Sequence, residues 1–329
     1  MSKEAILVTG AAGFIGMHVT RRLLERGEHV IGIDNLNDYY DVSLKEARLA
    51  ELSRTQNGRF EMLRLDFADN AALDEALATK RFDRIVHLGA QAGVRYSLEN
   101  PRAYIRSNID GHLNMLEIAR ERDLRHCVYA SSSSVYGSGA KLPFRVEDRV
   151  DHPLSLYAAT KRADELMSDT YAHLYRIPLT GLRFFTVYGP WGRPDMAMWL
   201  FTSAILEGRP INVYNAGDMR RDFTFIDDIV AGVIACLDLP PSDEGPAPPH
   251  RLYNIGNSKS EPLERLIALI ETACGREAVR HEMPMQPGDM KDTFADISAI
   301  ERDLNFRPST TLELGVPRFV DWYRGYAGI

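Results

Sequence analysis

The sequence predicts an α/β fold, a doubly wound and mostly parallel sheet followed by a smaller C-terminal α/β lobe. Short apolar runs alternate with amphipathic stretches through the first 190 residues, a pattern typical of parallel strands joined by helices. A glycine-rich turn follows the first apolar run. After Pro190 the segments become shorter and the alternation weakens. We therefore expect one large sheet and a second, smaller unit.

Six strands are expected in the large unit, because each run is short, apolar and bounded by turn residues. They are predicted at 5–9, 29–34, 60–65, 84–88, 126–131 and 179–184. Helices are predicted from the glycine turn to 26 and at 70–78, 101–122 and 155–176. These segments form the first and larger predicted domain, residues 1–190.

The second unit, residues 191–329, is expected to interleave with the first rather than separate from it. Helices are predicted at 196–207, 227–237 and 262–273, strands at 211–214, 222–224 and 252–255, and one or two helices after 296. The segment from Leu239 to His250 is rich in proline and polar residues, which indicates an exposed loop. We expect this lobe to bind the substrate.

Composition excludes several functional classes. The chain has 329 residues with a net charge of -7, whereas a general nucleic-acid binder usually carries a basic excess. No run approaches the roughly 18 apolar residues of a membrane span, and no secretory signal is recognisable at the N-terminus. Three scattered cysteines indicate neither a disulfide framework nor a metal site. We expect a cytoplasmic protein without a bound metal.

The glycine-rich turn has the sequence context of a nucleotide site. Gly10, Gly13 and Gly16 lie between a predicted strand and a predicted helix, where glycines permit a tight turn and close approach of a pyrophosphate. Their spacing departs from the generic Gly-x-Gly-x-x-Gly pattern. Asp34 ends the second strand, where a carboxylate accepts hydrogen bonds from the adenosine ribose and disfavours a 2′-phosphate. A Rossmann-type domain that binds NAD is therefore predicted.

Tyr157 and Lys161 are the candidate catalytic pair. A spacing of four residues places both side chains on one face of the predicted helix. A cation beside a phenol favours the phenolate form, which can act as a base. Alone, the pattern occurs by chance in many exposed helices, so its meaning depends on the nucleotide site.

Four motifs in order resemble the extended short-chain dehydrogenase/reductase family. They are the segments 9–16 (TGAAGFIG), 131–137 (SSSSVYG), 157–161 (YAATK) and 221–223 (RDF). Four further segments are most similar to the branch that interconverts UDP-glucuronate and UDP-galacturonate: 34–40, 87–96, 183–193 and 220–228. The resemblance covers nearly the whole chain. It implies an epimerase that oxidises the sugar at C4 with tightly bound NAD and returns the hydride to the opposite face.

The resemblance also assigns residue roles. It implies that Tyr157 is the base, that Lys161 assists it and binds the nicotinamide ribose, and that Ser132 hydrogen-bonds the sugar 4-hydroxyl. The expected NAD-binding residues are Gly10, Gly13, Phe14, Ile15, Gly16, Asp34, Asn35, Asp66, Phe67, Leu88, Ala90, Gln91, Asn108, Ser131, Tyr157 and Lys161. The expected substrate-binding residues are Ser132, Ser133, Ser134, Thr186, Arg193, Arg221 and Asp289.

Two features distinguish the possible reactions. Related dehydratases and decarboxylases carry carboxylates where this chain has Ser133 and Ser134. The absence of these carboxylates argues against both elimination of water and assisted decarboxylation. Arg193 matches an arginine that grips the C5 carboxylate of a uronate, and a guanidinium can bind a carboxylate through two parallel hydrogen bonds. A 4-epimerase of neutral UDP-sugars, a UDP-glucuronate decarboxylase and a non-catalytic NAD-sensing protein remain alternatives. The resemblance further implies a homodimer formed through the helices at 101–122 and 155–176.

Overall fold

The computed structural model describes residues 4–55, 58–285 and 290–329. A parallel sheet of seven strands lies at its centre: β1 (Ala5–Thr9), β2 (Val30–Asp34), β3 (Phe60–Arg64), β4 (Phe82–His87), β5 (His126–Ser132), β6 (Leu179–Phe184) and β11 (His250–Ile255). Their spatial order is β11-β6-β5-β4-β1-β2-β3. The order reverses between β1 and β4, as in Rossmann-type sheets, where the crevice at the reversal binds ligands. The predicted fold class is confirmed.

Helices cover both faces of this sheet. The helices of the first 178 residues are α1 (Phe14–Glu25), α2 (Val42–Thr55), α3 (Asn70–Leu77), α4 (Tyr96–Glu99), α5 (Pro101–Tyr104), α6 (Gly111–Glu121) and α7 (Leu156–Tyr175). The expected helix at 101–122 is divided, because a π-helical turn, Ile105–Asp110, separates α5 from α6. Two of these helices, α2 and α4, were absent from the sequence prediction.

The strand residues divide between two cores because successive side chains point to opposite faces. Ile6 and Val8 of β1 belong to one apolar cluster, which also contains buried residues of α1 and of the helix Ile226–Asp238. Leu7 belongs to the second cluster, with buried residues of α3, α6 and α7. This alternation buries the sheet on both faces and leaves its carboxyl edge to form the site.

The C-terminal part adds helices α8 (Ala197–Glu207), α9 (Ile226–Asp238), α10 (Leu263–Cys274), α11 (Ser298–Leu304) and α12 (Leu312–Ala327). Three two-stranded pairs accompany them: β7 (Thr186–Tyr188) with β10 (Phe223–Phe225), β9 (Arg220–Arg221) with β12 (Glu261–Pro262), and β8 (Ile211–Tyr214) with β13 (Arg280–Met283). Strand β11 pairs with β6 in the large sheet although it follows residue 190. The division of the chain at residue 190 stays a prediction.

None of the helices that the structure describes combines the length and apolar character needed to cross a membrane. Across 4–55, 58–285 and 290–329, no group of three or more His, Cys, Asp or Glu side chains is arranged to hold a metal ion.

Candidate active site

One large cavity opens at the carboxyl edge of the sheet, with a volume of about 970 Å³. It lies between the loops that follow the parallel strands and the smaller lobe. Most of the expected site residues line it: Gly10, Gly13, Phe14, Ile15, Gly16, Asp34, Asn35, Phe67, Leu88, Ala90, Gln91, Ser131, Ser132, Ser133, Ser134, Tyr157, Lys161, Thr186, Arg193 and Arg221. Asp66 and Asn108 are not among its lining residues. Asp289 lies outside the described residues.

The glycine turn is shaped for a close-fitting ligand. Gly10 has φ +70°, and a Cβ there would lie 2.8 Å from the backbone nitrogen of Gly89. A Cβ on Gly16 would overlap the carbonyl oxygen of Gly10. Helix α1 therefore begins directly against the turn, and its first three residues line the cavity together with Gly13. Such a helix N-terminus favours an anion, so the turn fits the pyrophosphate of a dinucleotide.

Asp34 is buried at the end of β2 beside that turn. Its carboxylate accepts hydrogen bonds from the backbone N–H groups of Ala12 (3.1 Å) and Leu36 (2.9 Å). Burial raises the pKa of Asp34, while these two N–H groups and the ammonium of Lys45 act in the opposite direction. The carboxylate thus holds the glycine turn and the loop after β2 together while it lines the nucleotide end of the cavity.

The Tyr157–Lys161 pair projects from the first turns of α7 into the cavity. Ser155 caps this helix by accepting a hydrogen bond from the N–H of Ala158 (3.1 Å). The Lys161 ammonium donates to the Ala130 carbonyl (2.9 Å) and to Asp164 (3.0 Å). An ammonium has three donors, so one remains available on the cavity side.

Ser132 lies at the end of β5, on the strand next to α7 along the chain. Its hydroxyl oxygen accepts a hydrogen bond from the N–H of Ser134 (3.2 Å), which caps the short 3-10 turn Ser133–Tyr136. The hydroxyl proton stays available as a donor. Strand and turn together place Ser132, Ser133 and Ser134 at the wall that Tyr157 also lines.

A buried ion pair supports this wall from behind. Ser131 donates a hydrogen bond to Glu165 Oε1 (2.6 Å). Arg183 donates to both oxygens of the same carboxylate, from Nε (2.8 Å) and from Nη2 (2.9 Å). Glu165 therefore connects β5, β6 and α7 immediately behind the catalytic candidates.

Asn108 and Asp66 lie one layer away from the cavity. The Asn108 amide accepts from the Gln91 N–H (2.8 Å) and donates to the Gln91 carbonyl (3.1 Å) and to the Thr160 hydroxyl (2.9 Å). It thereby fixes the loop after β4 to the helix of Lys161. Asp66 accepts from the Ala68 N–H (2.9 Å) and forms an ion pair with Arg106 (3.0 Å). Both side chains organise the site's surroundings rather than its surface.

Arg193 also lines the cavity. Its guanidinium pairs with Asp195, from Nε at 3.0 Å and from Nη2 at 2.5 Å. Burial would lower the pKa of Arg193, but Asp195 and, less strongly, the phenols of Tyr39 and Tyr157 hold it above its usual range. A charged guanidinium therefore shares the cavity with Tyr157.

Several residues that contribute to the site were not predicted from the sequence. Asp164 follows Lys161 by three residues, a helical spacing that signals contact. Asp195 follows Arg193 by two residues, and this acidic neighbour was the available signal. Arg48 carries no local signal: its buried guanidinium donates to the carbonyls of Ala12 (3.0 Å) and Trp191 (2.7 Å), far apart in the sequence.

Known proteins are similar to this chain in sequence and in fold. Residues 6–256 match the NAD dependent epimerase/dehydratase family. The chain is 48% identical to a probable UDP-glucuronate 4-epimerase of Rhizobium meliloti, over 96% of each chain. It is 46% identical to UDP-glucuronate 4-epimerase 3 of Arabidopsis thaliana, over 98% of this chain and 77% of the relative.

A solved structure is similar over almost the full length. The UDP-glucuronic acid 4-epimerase from Bacillus cereus, in complex with UDP-glucuronic acid and NAD, superposes with a TM-score of 0.88. Sequence identity is 33%, covering 98% of this chain and 99% of that one. The predicted resemblance is confirmed. The chain belongs to the NAD-dependent epimerase/dehydratase family, and NAD is its cofactor.

Proposed function

We propose that this chain is a UDP-glucuronate 4-epimerase that interconverts UDP-glucuronate and UDP-galacturonate. The observation that carries the proposal is the placement of Arg193 and Tyr157 in one cavity whose other end is the glycine turn. A base for the sugar C4 hydroxyl, a cation for the C5 carboxylate and a dinucleotide site are thereby combined. The relatives named above support the same substrate.

The glycine turn and Asp34 would hold the dinucleotide, and Lys161 would bind its nicotinamide ribose with the donor that Ala130 and Asp164 leave available. Bound NAD supplies a reversible hydride acceptor at C4. Tyr157 takes the proton of the C4 hydroxyl as hydride leaves C4, and Ser132 donates a hydrogen bond to the same oxygen. After the 4-keto sugar has turned, hydride returns to the opposite face of C4 and Tyr157 returns the proton to the oxygen. The reaction has no net redox change.

Arg193 has a second task in this scheme. A 4-keto uronate is a β-keto acid, which loses CO₂ most easily when its C5–C6 bond lies along the carbonyl π system. A guanidinium that holds the carboxylate out of that alignment slows the loss. Thr186, Ser133 and Ser134 line the same cavity, and their hydroxyls would supply further donors. Arg221, which also lines it, is proposed to bind the diphosphate.

The proposal is tested by product identification. Purified protein incubated with UDP-glucuronate and without added NAD should form UDP-galacturonate, identified by chromatography with mass spectrometry. Tyr157→Phe should abolish conversion, since no base remains at C4. Arg193→Ala should lower UDP-glucuronate turnover by about tenfold or more, the loss expected for a charge-assisted carboxylate contact.

Other products would point to other functions. Unchanged turnover by Arg193→Ala would refute the carboxylate contact and favour a neutral-sugar epimerase. A UDP-pentose with released CO₂ as the main wild-type product would identify a decarboxylase. Absence of any sugar-nucleotide conversion, with NAD bound, would favour a binding protein.

A second copy of the chain is the proposed partner. Helix α7 packs beside α6, and exposed apolar side chains lie on these two helices and on the π-helical turn before α6: Ile105, Leu113, Leu166, Leu174 and Tyr175. Leu166 and Leu174 are eight residues apart on α7, so they lie on the same side of that helix. Two copies would bury these four helices against each other.

We also propose a cytoplasmic location, where the three buried free cysteines stay reduced.

A further inference from the structure

Three side chains meet at the sugar end of the cavity and form what we name the Arg193 cluster: Tyr39, Arg193 and Asp195. Asp195 accepts two hydrogen bonds from Arg193 and a third, at 3.0 Å, from the hydroxyl of Tyr39. All three residues line the cavity. Tyr39 and Asp195 have no role in the mechanism above, so the purpose of their contact with Arg193 is open.

The contact uses only one edge of the guanidinium. Asp195 engages the edge formed by Nε and Nη2. Of the five N–H donors of an arginine, the two on Nη1 and one on Nη2 are left. The hydrogen bonds that Arg193 donates within the described part of the chain run from Nε and Nη2 to Asp195, and none runs from Nη1. The hydroxyl of Tyr39 lies beside the same guanidinium. The remaining edge can therefore grip a second carboxylate through two parallel bonds.

Tyr39 connects the cluster to the segment that follows β4. Its ring packs on that of Tyr96 with centroids 4.7 Å apart. Its hydroxyl lies so close to Gly93 that a Cβ there would come within 2.6 Å. Tyr104 donates a hydrogen bond to the Ala92 carbonyl (2.9 Å) beside it. Asp195 is thus held by Arg193, two positions before it in the sequence, and by Tyr39, which lies 156 positions before it.

The charges in the cluster suit a fixed arrangement. Burial raises the pKa of Asp195, but the Arg193 guanidinium and the Tyr39 hydroxyl more than offset it, and the net pKa lies below its usual value. Burial and the nearby Asp195 raise the pKa of Tyr39 to about 12. At neutral pH a neutral phenol therefore donates to a carboxylate that also accepts from a guanidinium.

We infer that Asp195, held by Tyr39, is a positioning residue that fixes the guanidinium of Arg193 with its outer edge toward the sugar. The inference rests on the proposed function, in which Arg193 binds the C5 carboxylate. Because Asp195 holds one edge of the Arg193 guanidinium, the guanidinium cannot turn with the sugar carboxylate that its other edge binds. Asp195 thereby determines how completely decarboxylation of the 4-keto sugar is suppressed.

The reaction that Asp195 suppresses in this proposal is decarboxylation, in which one bond of the 4-keto sugar breaks heterolytically. The C5–C6 bond breaks, its electron pair becomes the enolate across C4 and C5, and CO₂ leaves as a neutral molecule. A proton then adds at C5 to give the 4-keto pentose. The step needs no oxidant or reductant. It requires only that the C5–C6 bond turn into line with the carbonyl π system.

The test is the ratio of decarboxylated to epimerised product for Asp195→Asn. We expect a rise of roughly tenfold or more, the factor for loss of one charge-assisted hydrogen bond, with a smaller change in KM because Arg193 keeps its charge. Asp195→Glu should restore the ratio in part. Tyr39→Phe should raise the ratio in the same direction by a smaller factor, and it serves if the Asp195→Asn protein does not fold.

The matched control is Asp238→Asn. Asp238 also accepts two hydrogen bonds from one arginine, Arg26 (2.9 and 3.0 Å), but neither residue lines the cavity. Its product ratio should equal that of the wild type. Tighter uronate binding with an unchanged ratio in Asp195→Asn would overturn the inference, since Asp195 would then merely compete with the substrate for Arg193.

The Arg193→Ala variant distinguishes failure of the proposed carboxylate contact from failure of the positioning role of Asp195. If that variant epimerises UDP-glucuronate normally without added decarboxylation, the proposed carboxylate contact fails. If Arg193→Ala raises the ratio and neither Asp195→Asn nor Tyr39→Phe does, only the positioning role of Asp195 is refuted.

Discussion

Replacing Glu165 by Gln should destabilise the protein far more than the same change at Glu46. Both glutamates accept two hydrogen bonds from one arginine, 2.8 and 2.9 Å from Arg183 and 2.7 and 2.8 Å from Arg64. Glu165 also accepts one from the partly exposed Arg162 (3.0 Å). The two glutamates differ in burial. The Arg183 and Glu165 side chains are 2% and 0% exposed, whereas those of Arg64 and Glu46 are 60% and 44% exposed.

The expected magnitude follows from that difference. Glutamine cannot accept both bonds from Arg183, because its amide nitrogen is itself a donor. Arg183 is then a buried cation without its counter-charge, and breaking one partner of a buried pair costs about 3–5 kcal/mol. The exposed pair is screened by water, so Glu46→Gln should cost about 0–1 kcal/mol.

The pH dependence provides a second test. Burial raises the pKa of Glu165, but hydrogen bonds from Arg183 and Ser131 more than offset it, so the folded-state pKa is below the usual 4.5. A depressed pKa contributes stability that is present above the unfolded-state value and lost as pH falls through the folded-state value. The difference between wild type and Glu165→Gln should therefore be constant near neutrality and shrink below about pH 4.5.

Equilibrium unfolding in urea measures these differences, with the m value as a check that the denatured states are comparable. A cost below about 1 kcal/mol for Glu165→Gln at neutral pH would refute the assignment of an uncompensated buried charge. A cost that does not fall in acid would show that Glu165 is not ionised in the native protein.

Two further predictions concern the cofactor turn and the dimer. Gly16→Ala should greatly reduce retention of NAD during purification, because the new Cβ meets the Gly10 carbonyl, whereas Gly325→Ala, with open space around it, should retain NAD normally. Absorbance of the released cofactor measures this, and full retention by Gly16→Ala would contradict the close contact between Gly16 and Gly10. Leu166→Asp should convert a dimer to a monomer in sedimentation velocity, since it places a charge on the proposed interface. Lys259→Asp is the surface control, and a Leu166→Asp dimer would rule out that face.

Local sequence patterns predicted most of the large sheet. Strand Leu179–Phe184 has the predicted bounds, because an apolar run between turn residues favours one buried strand regardless of distant partners. The glycine turn and Asp34 were predictable for the same reason, since β1, the turn and β2 are adjacent in sequence. The strand Arg280–Met283 was missed, because it is short, polar and mostly exposed, and only its pairing with Ile211–Tyr214 defines it.

The sequence by itself determined the α/β class, the nucleotide turn and the Tyr157–Lys161 pair, all of which depend on spacings within one helix turn or one strand. Only the tertiary structure decided that Asn108 lies behind the cavity and that the hydroxyl of Tyr39 donates a hydrogen bond to Asp195. The physical reason is range. Helix and strand periods relate residues a few positions apart, whereas contacts between residues more than a hundred positions apart depend on how the crossovers pack and where each loop returns to the sheet edge.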